Sequence, residues 1–144
     1  HSLMPADEAL PVTMRRDVAV FSNRTGITTE LVTLGTPRHA GAEVEGVVLS
    51  ALREGLHNVE KHAGARAVLV SLAYQSHQLS LAIEDDGKGL PPDFDLNPVP
   101  GREAGLGIPG LLQRVTGAGG VLRIGNNDDG GTSLRVTLPL VACA

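Results

Sequence analysis

The chain has 144 residues, a formal net charge of −4 and an apolar fraction of 42%, with Phe21, Tyr74 and Phe94 as its only Phe, Tyr or Trp residues. That length suits one domain with a sizeable core, and the acidic balance and scarce aromatics exclude a basic, base-stacking nucleic-acid platform. No apolar run approaches the ~18 residues that span a bilayer, no leader resembles a signal peptide, and Cys143 has no second cysteine to pair with. The expectation is a cytoplasmic domain, free or as the cytosolic part of a membrane-anchored sensor, with no direct membrane contact and no nucleic-acid partner.

Residues 1–12 read as a linker or tag remnant and 13–144 as the domain. A helix is expected to end near Asn23, starting at about Thr13 or as early as Asp7. Ile27 to Leu34 is rich in β-branched residues and is closed by Gly35 and Pro37, which predicts a strand. From Ala42 to about Ala63 the pattern is helical, with Leu52, Leu56, Val59 and Ala63 forming an apolar stripe. At about 100° per residue, Glu54, Asn58 and Lys61 fall roughly opposite that stripe. His62 sits on the shoulder, and Gly64 is placed to stop the helix.

Residues 67–74 and 78–84 read as a hairpin. Next comes Asp85-Asp86-Gly87-Lys88-Gly89, then a stretch (89–104) whose Pro91, Pro92, Pro98 and Pro100 predict a mobile loop rather than a packed element. Pro109, at a first helical turn, opens a short helix to about Thr116. Residues 121–125 and 132–140 read as a second hairpin across Asn126-Asn127-Asp128-Asp129-Gly130-Gly131. The order predicts an α+β two-layer sandwich with a mixed, mostly antiparallel sheet packed on helices. No strand runs into GxxxxGK[ST], so a P-loop is not expected.

Each polar segment alone has a bland reading: Glu54, Asn58 and Lys61 as a solvated helix face, Asp86-Gly87 as an ordinary turn. The chain's two lysines, Lys61 and Lys88, both fall inside these segments. Order and spacing carry more. Arg53-Glu54-x-x-x-Asn58-x-x-Lys61-His62-Ala63, then Asp85-x-Gly87-x-Gly89, then Gly105-Leu106-Gly107-Ile108-Pro109-Gly110-Leu111, then Gly131-Thr132 before Leu138-Pro139-Leu140, together resemble the catalytic ATP-binding domain of two-component sensor histidine kinases. That domain shares its Bergerat-type fold with gyrase-type topoisomerases, a heat-shock chaperone family and the MutL ATPases. The first box looks like the form found in kinases that pair with NarL-type response regulators. The resemblance covers about residues 15–140.

The resemblance implies a role for each matching position. Asp85 would accept a hydrogen bond from the adenine amino group and reject guanine, which presents an acceptor there. Thr132 would support Asp85, and Gly87 and Gly89 would let the backbone approach the base and ribose. Asn58 would hold Mg²⁺. Glu54 would be the catalytic group, accepting a proton or polarising a water near the attacked phosphoryl group. Lys61 and His62 would neutralise phosphate charge, while Gly105, Leu106 and Gly107 would bring backbone N–H groups to the phosphates. His57 is assigned no role.

The implied activity is transfer of the γ-phosphoryl group of Mg-ATP to a histidine of the kinase's dimerisation domain, and onward to a response regulator. No acceptor-type context is found; His39, in a turn, is a poor candidate. The alternatives are an anti-sigma-factor serine kinase of the same fold and a nucleotide-switched ATPase module. Lys61-His62-Ala63 favours the histidine kinase.

Overall fold

Alternation along the strands decides which face of the sheet is covered. Val68, Val70, Leu72 and Tyr74 are buried on one strand and Leu79, Leu81, Ile83 and Asp85 on the next, while their neighbours in sequence are mostly more exposed. Successive side chains of a strand point to opposite faces, so one face packs and the other is open. The computed structural model describes residues 9–90, Phe94 and 107–141. Its elements are α1 (Ala9–Thr25), β1 (Thr28–Leu34), α2 (Ala42–Asn58), β2 (Ala67–Tyr74), β3 (Gln78–Asp85), α3 (Ile108–Gly117), β4 (Val121–Asn126) and β5 (Thr132–Pro139).

The five strands form one sheet in the order β1-β2-β3-β5-β4. β1 and β2 are parallel, with Thr28 opposite Ala67, and the remaining pairs are antiparallel. A parallel pair needs a crossover, and α2 supplies it. α2 packs on β3 and β5, α1 on β1 and α2, and α3 on α2 and β4, so the three helices cover the buried face. This is the mixed, mostly antiparallel two-layer sandwich expected. Among the described residues no helix is long and apolar enough to cross a membrane.

α2 approaches the sheet closely at Gly55, where an added Cβ would lie 2.5 Å from Ile83 Cδ1 and 3.1 Å from Leu134 Cδ2. Val48, Ala51, Leu52 and Leu56 bury the rest of its inner face. Burying a Val or Leu side chain of this kind is worth about 1.5–3 kcal/mol.

α1 is helical at Ala9, the first described residue and within the Asp7–Thr13 range expected for its start, and Leu10 is only 3% exposed in the core. The helix runs past Asn23 to Thr25, whose hydroxyl donates to Phe21 O at 2.7 Å, before Gly26 (φ 77°) turns the chain. The second helix does not stay α-helical to Ala63. Val59–Ala63 is a π-helical turn, ended by left-handed Gly64 as expected. A wider turn breaks the 100° count beyond Asn58, and such turns recur at functional sites.

At the far end of the sheet, Arg38 pins the loop before α2 by donating to Gln75 O and Ser76 O, both at 3.0 Å. Beneath it Tyr74 is buried, and its hydroxyl has no hydrogen-bond partner among the described residues. Burial pushes the Tyr74 phenol up to about 12, with Glu45 adding to the shift and Arg38 opposing it.

Candidate functional site

Between the end of α2, the sheet and α3 lies a cavity of about 560 Å³. Ile83, Ile108, Ile124 and Leu134 give it apolar walls, and Asn58, Asp85, Lys88 and Thr132 supply the polar groups. Gly55, Val59, Gly89, Leu90 and Phe94 complete the lining. An apolar pocket with a few converging polar groups is the usual form of a small-molecule site.

Asp85 is its distinctive member. At 6% exposure it is the only buried charged side chain among the described residues. A buried carboxylate is costly unless it is hydrogen-bonded. Here Oδ1 accepts from Gly87 N at 2.8 Å and from Thr132 N at 3.2 Å. No hydrogen bond reaches Oδ2 among the described residues. Thr132 thus meets Asp85 through its backbone N–H. Gly87 acts on the carboxylate in the same way.

The neighbouring Asp86 does different work. Its Oδ1 accepts from Arg66 N at 2.8 Å and Ala67 N at 3.0 Å, fastening the start of β2 to the end of β3. These bonds, the one from Ala67 foremost, hold its carboxyl below the usual aspartate value.

The β4–β5 turn carries residues whose part in the site the sequence reading missed. Asn127 Nδ2 donates to Asp85 O at 2.9 Å and to Thr132 O at 3.3 Å, while its Oδ1 accepts from Asp129 N and Gly131 N, both at 3.0 Å. Asn126 Oδ1 accepts from Leu90 N at 2.8 Å. The turn-rich composition announced a turn, but nothing in it said that the amides reach the Asp85–Gly89 segment, the chain's first glycine box. Gly89, at φ 82°, is in the left-handed region, and an added Cβ would meet Gly130 O at 2.8 Å and Asn126 Oδ1 at 2.9 Å.

Glu54 opens on a second space. A polar cleft of about 450 Å³ lies between α2 and α3, lined by Ser50, Glu54, Gly107, Gly110, Leu111, Gln113 and Arg114. Gly107 (φ 76°) caps α3, and an added Cβ there would lie 3.7 Å from Glu54 Oε2. Across the cleft, Arg114 Nη1 donates to Ser50 Oγ at 2.8 Å.

The structure thus brings Asn58, Asp85, Gly89 and Thr132 to one cavity, and Glu54 and Gly107 to the adjoining cleft. Lys61 lies in the π-helical turn, is exposed and lines neither space. The side chain of His62, together with Gly105 and Leu106, lies outside the described residues, as does most of the 89–104 stretch.

Residues 43–142 match the family described as "Histidine kinase-, DNA gyrase B-, and HSP90-like ATPase". The chain belongs to this ATPase family. Its similarity extends to the histidine-protein kinase/phosphatase UhpB of Salmonella typhimurium, 41% identical over 87 residues, which are 60% of this chain and 16% of that protein. The sensor histidine kinase LnrJ of Bacillus subtilis is 27% identical over 134 residues, 93% of this chain and 31% of its own. The nitrate/nitrite sensor protein NarX of Escherichia coli is 31% identical over 90 residues, 62% of this chain and 14% of its own. The chain spans between 14% and 31% of the length of these curated relatives.

Solved ATPase domains share the fold. The mycobacterial sensor histidine kinase MprB superposes with a TM-score of 0.68 at 25% identity, covering 93% of this chain and 96% of that one. The catalytic domain of histidine kinase ThkA gives 0.71 at 12% identity, over 92% and 91%.

Proposed function

We propose that this ATPase-family domain binds Mg-ATP and transfers the γ-phosphoryl group to a histidine on the dimerisation domain of the same kinase, from which a response regulator of the NarL type receives it. The observation that carries this reading is Asp85: a buried carboxylate in an apolar cavity, held through Oδ1 by backbone N–H groups. With Oδ1 engaged, Oδ2 is the acceptor for an amino group on a planar apolar ring, which is what adenine offers. Guanine presents a carbonyl at that edge and would leave two acceptors facing each other. The relatives' names, UhpB and NarX among them, support the kinase class and the NarL-type partner.

The donor set fits Mg²⁺ in the manner expected of a hard ion that keeps several waters. Among the described residues no group of three or more His, Cys, Asp or Glu could cage a metal. Asn58 presents a carboxamide in the cavity wall, and phosphate oxygens and water would complete the shell. When bound, the ion supplies charge neutralisation along the phosphates. Asn58 holds it; Lys88 lines the same cavity and adds positive charge.

Glu54 stands where the acceptor would enter, in the cleft that meets α3 at Gly107. A lone pair of the acceptor imidazole forms the N–P bond as the bond from γ-phosphorus to the bridging oxygen breaks, and ADP leaves with the electron pair of that broken P–O bond. Glu54 takes the proton given up by the imidazole's other nitrogen. Such chemistry is mostly positioning and electrostatics, so the domain needs no nucleophile of its own. A cytoplasmic location follows from this reading, because the nucleotide and the regulator are found there.

The test is transfer in trans. The chain is incubated with labelled ATP, with and without the kinase's dimerisation segment. Acid-labile, base-stable label should appear on that segment and not on the chain. Glu54→Gln should reduce transfer by about 10²-fold or more while ADP affinity stays near wild type. Label on one of the chain's own histidines, or wild-type transfer by Glu54→Gln, would count against it.

A further inference from the structure

Resting on that reading of Asp85, we infer that Asn127 is a positioning residue for nucleotide recognition, and that the β4–β5 turn aims the carboxylate that reads the base. The Asp85–Gly89 box is gripped at both ends by adjacent asparagines. Asn127 donates to the carbonyl of Asp85, its first residue, at 2.9 Å, and Asn126 accepts from Leu90 N, just past its last, at 2.8 Å.

The grip falls where the sheet lets go. β3 and β5 pair in register as far as Glu84 with Ser133. Beyond that pair, Asp85 and Thr132 are joined by the bond from Thr132 N to Asp85 Oδ1 and by Asn127 Nδ2, which bonds both their carbonyls. The backbone that carries the Asp85 carboxylate is therefore held by a side-chain amide as well as by the ladder. An acceptor in a base site discriminates only while it is held in place, so a loosened Asp85 should lose selectivity along with affinity.

One substitution separates this role from simple turn formation. In Asn127→Asp the side chain keeps the acceptor that takes Asp129 N and Gly131 N, so the turn can still form. The donor is replaced by an oxygen facing the carbonyls of Asp85 and Thr132, and the grip becomes a repulsion. Calorimetric titration with ADP and with GDP is run on the wild-type chain, Asn127→Asp, Asn126→Ala and Asp85→Asn, with thermal unfolding alongside. Asn127→Asp should unfold cooperatively yet bind ADP at least about tenfold more weakly, with a reduced preference for ADP over GDP. Asn126→Ala should weaken ADP binding as well.

If Asp85→Asn loses ADP while Asn127→Asp keeps wild-type affinity and preference, the inference is overturned and the nucleotide reading stands. If Asp85→Asn binds ADP as wild type does, both fall. Should Asn127→Asp not fold, the wild-type carboxamide protons of Asn127 decide by NMR. Slow exchange with water that slows further on adding ADP supports the role. Free exchange, or exchange indifferent to ADP, overturns it.

Discussion

A methyl group on Gly131 would stand 2.0 Å from the carbonyl oxygen of Asp85 and 2.8 Å from its Oδ1. The obstacle is backbone, so neither a rotamer change nor a small shift can relieve it. Gly131→Ala must push β5 away from the glycine box, at a cost of about 1–3 kcal/mol for overpacking. We expect a lower thermal midpoint together with loss of ADP binding. An unchanged midpoint with wild-type ADP affinity would mean that this approach is not needed.

The bond from Arg114 to Ser50 predicts a coupling between two helices. It ties α3 to α2 across the cleft that holds Glu54, and so fixes the gap into which an acceptor would fit. Arg114→Ala and Ser50→Ala should each slow transfer to the dimerisation segment about tenfold while changing ADP affinity little, since neither residue lines the nucleotide cavity. The double variant should be no slower than the slower single, the sign of one shared interaction. Additive losses would show that the two act apart.

Much of this was legible because patterning and packing agree. The strands, the helix that became α2 and the hairpins follow from alternation and from stripes such as Leu52, Leu56 and Val59, whose burial is what folding requires. Asp85, Gly89 and Thr132 were legible as a constellation by order and spacing, and the fold brings them together. Lys61 was placed beside Glu54 and Asn58 by an α-helical wheel, and the π-helical turn changes that count beyond Asn58; no periodicity announces such a turn. Asn127 was hidden for a different reason. Its partners, Asp85 and Thr132, lie forty-two and five residues away in sequence, and a turn-forming asparagine looks the same whether or not its amide reaches across the sheet.

Acid should act through Asp86. Its carboxyl is held below the usual value by backbone N–H groups of Ala67 and Arg66, so its contribution is full above the ordinary aspartate pKa of 3.8 and is lost as pH falls below it. Asp86→Ala should lower the thermal midpoint at neutral pH and flatten the acid limb of the stability curve. A mutant curve parallel to wild type between about pH 5 and about pH 2 would remove Asp86 from the account.

Alkali should act through Tyr74. The folded chain keeps the phenolic proton to about 12, whereas an unfolded tyrosine releases it near 10.0. The stabilisation is therefore full below pH 10 and declines as pH rises from 10.0 towards 12. Tyr74→Phe removes that decline and also removes a buried hydroxyl with no partner among the described residues, so it should leave neutral-pH stability unchanged or raise it by about 1 kcal/mol. A mutant that unfolds in alkali as wild type does would point to another group.

The chain has no tryptophan and a single tyrosine. That tyrosine sits at the end of β2 opposite Leu79, six register positions from the Val68–Asp85 pair at the cavity end, or about 20 Å along the strand. Its ultraviolet emission therefore watches one point of the core from a distance. Ligand binding should leave that signal quiet, while loss of the native state should change it. Light from this one ring can follow unfolding even when the nucleotide cavity is saturated, so stability can be read without a label at any occupancy of the site.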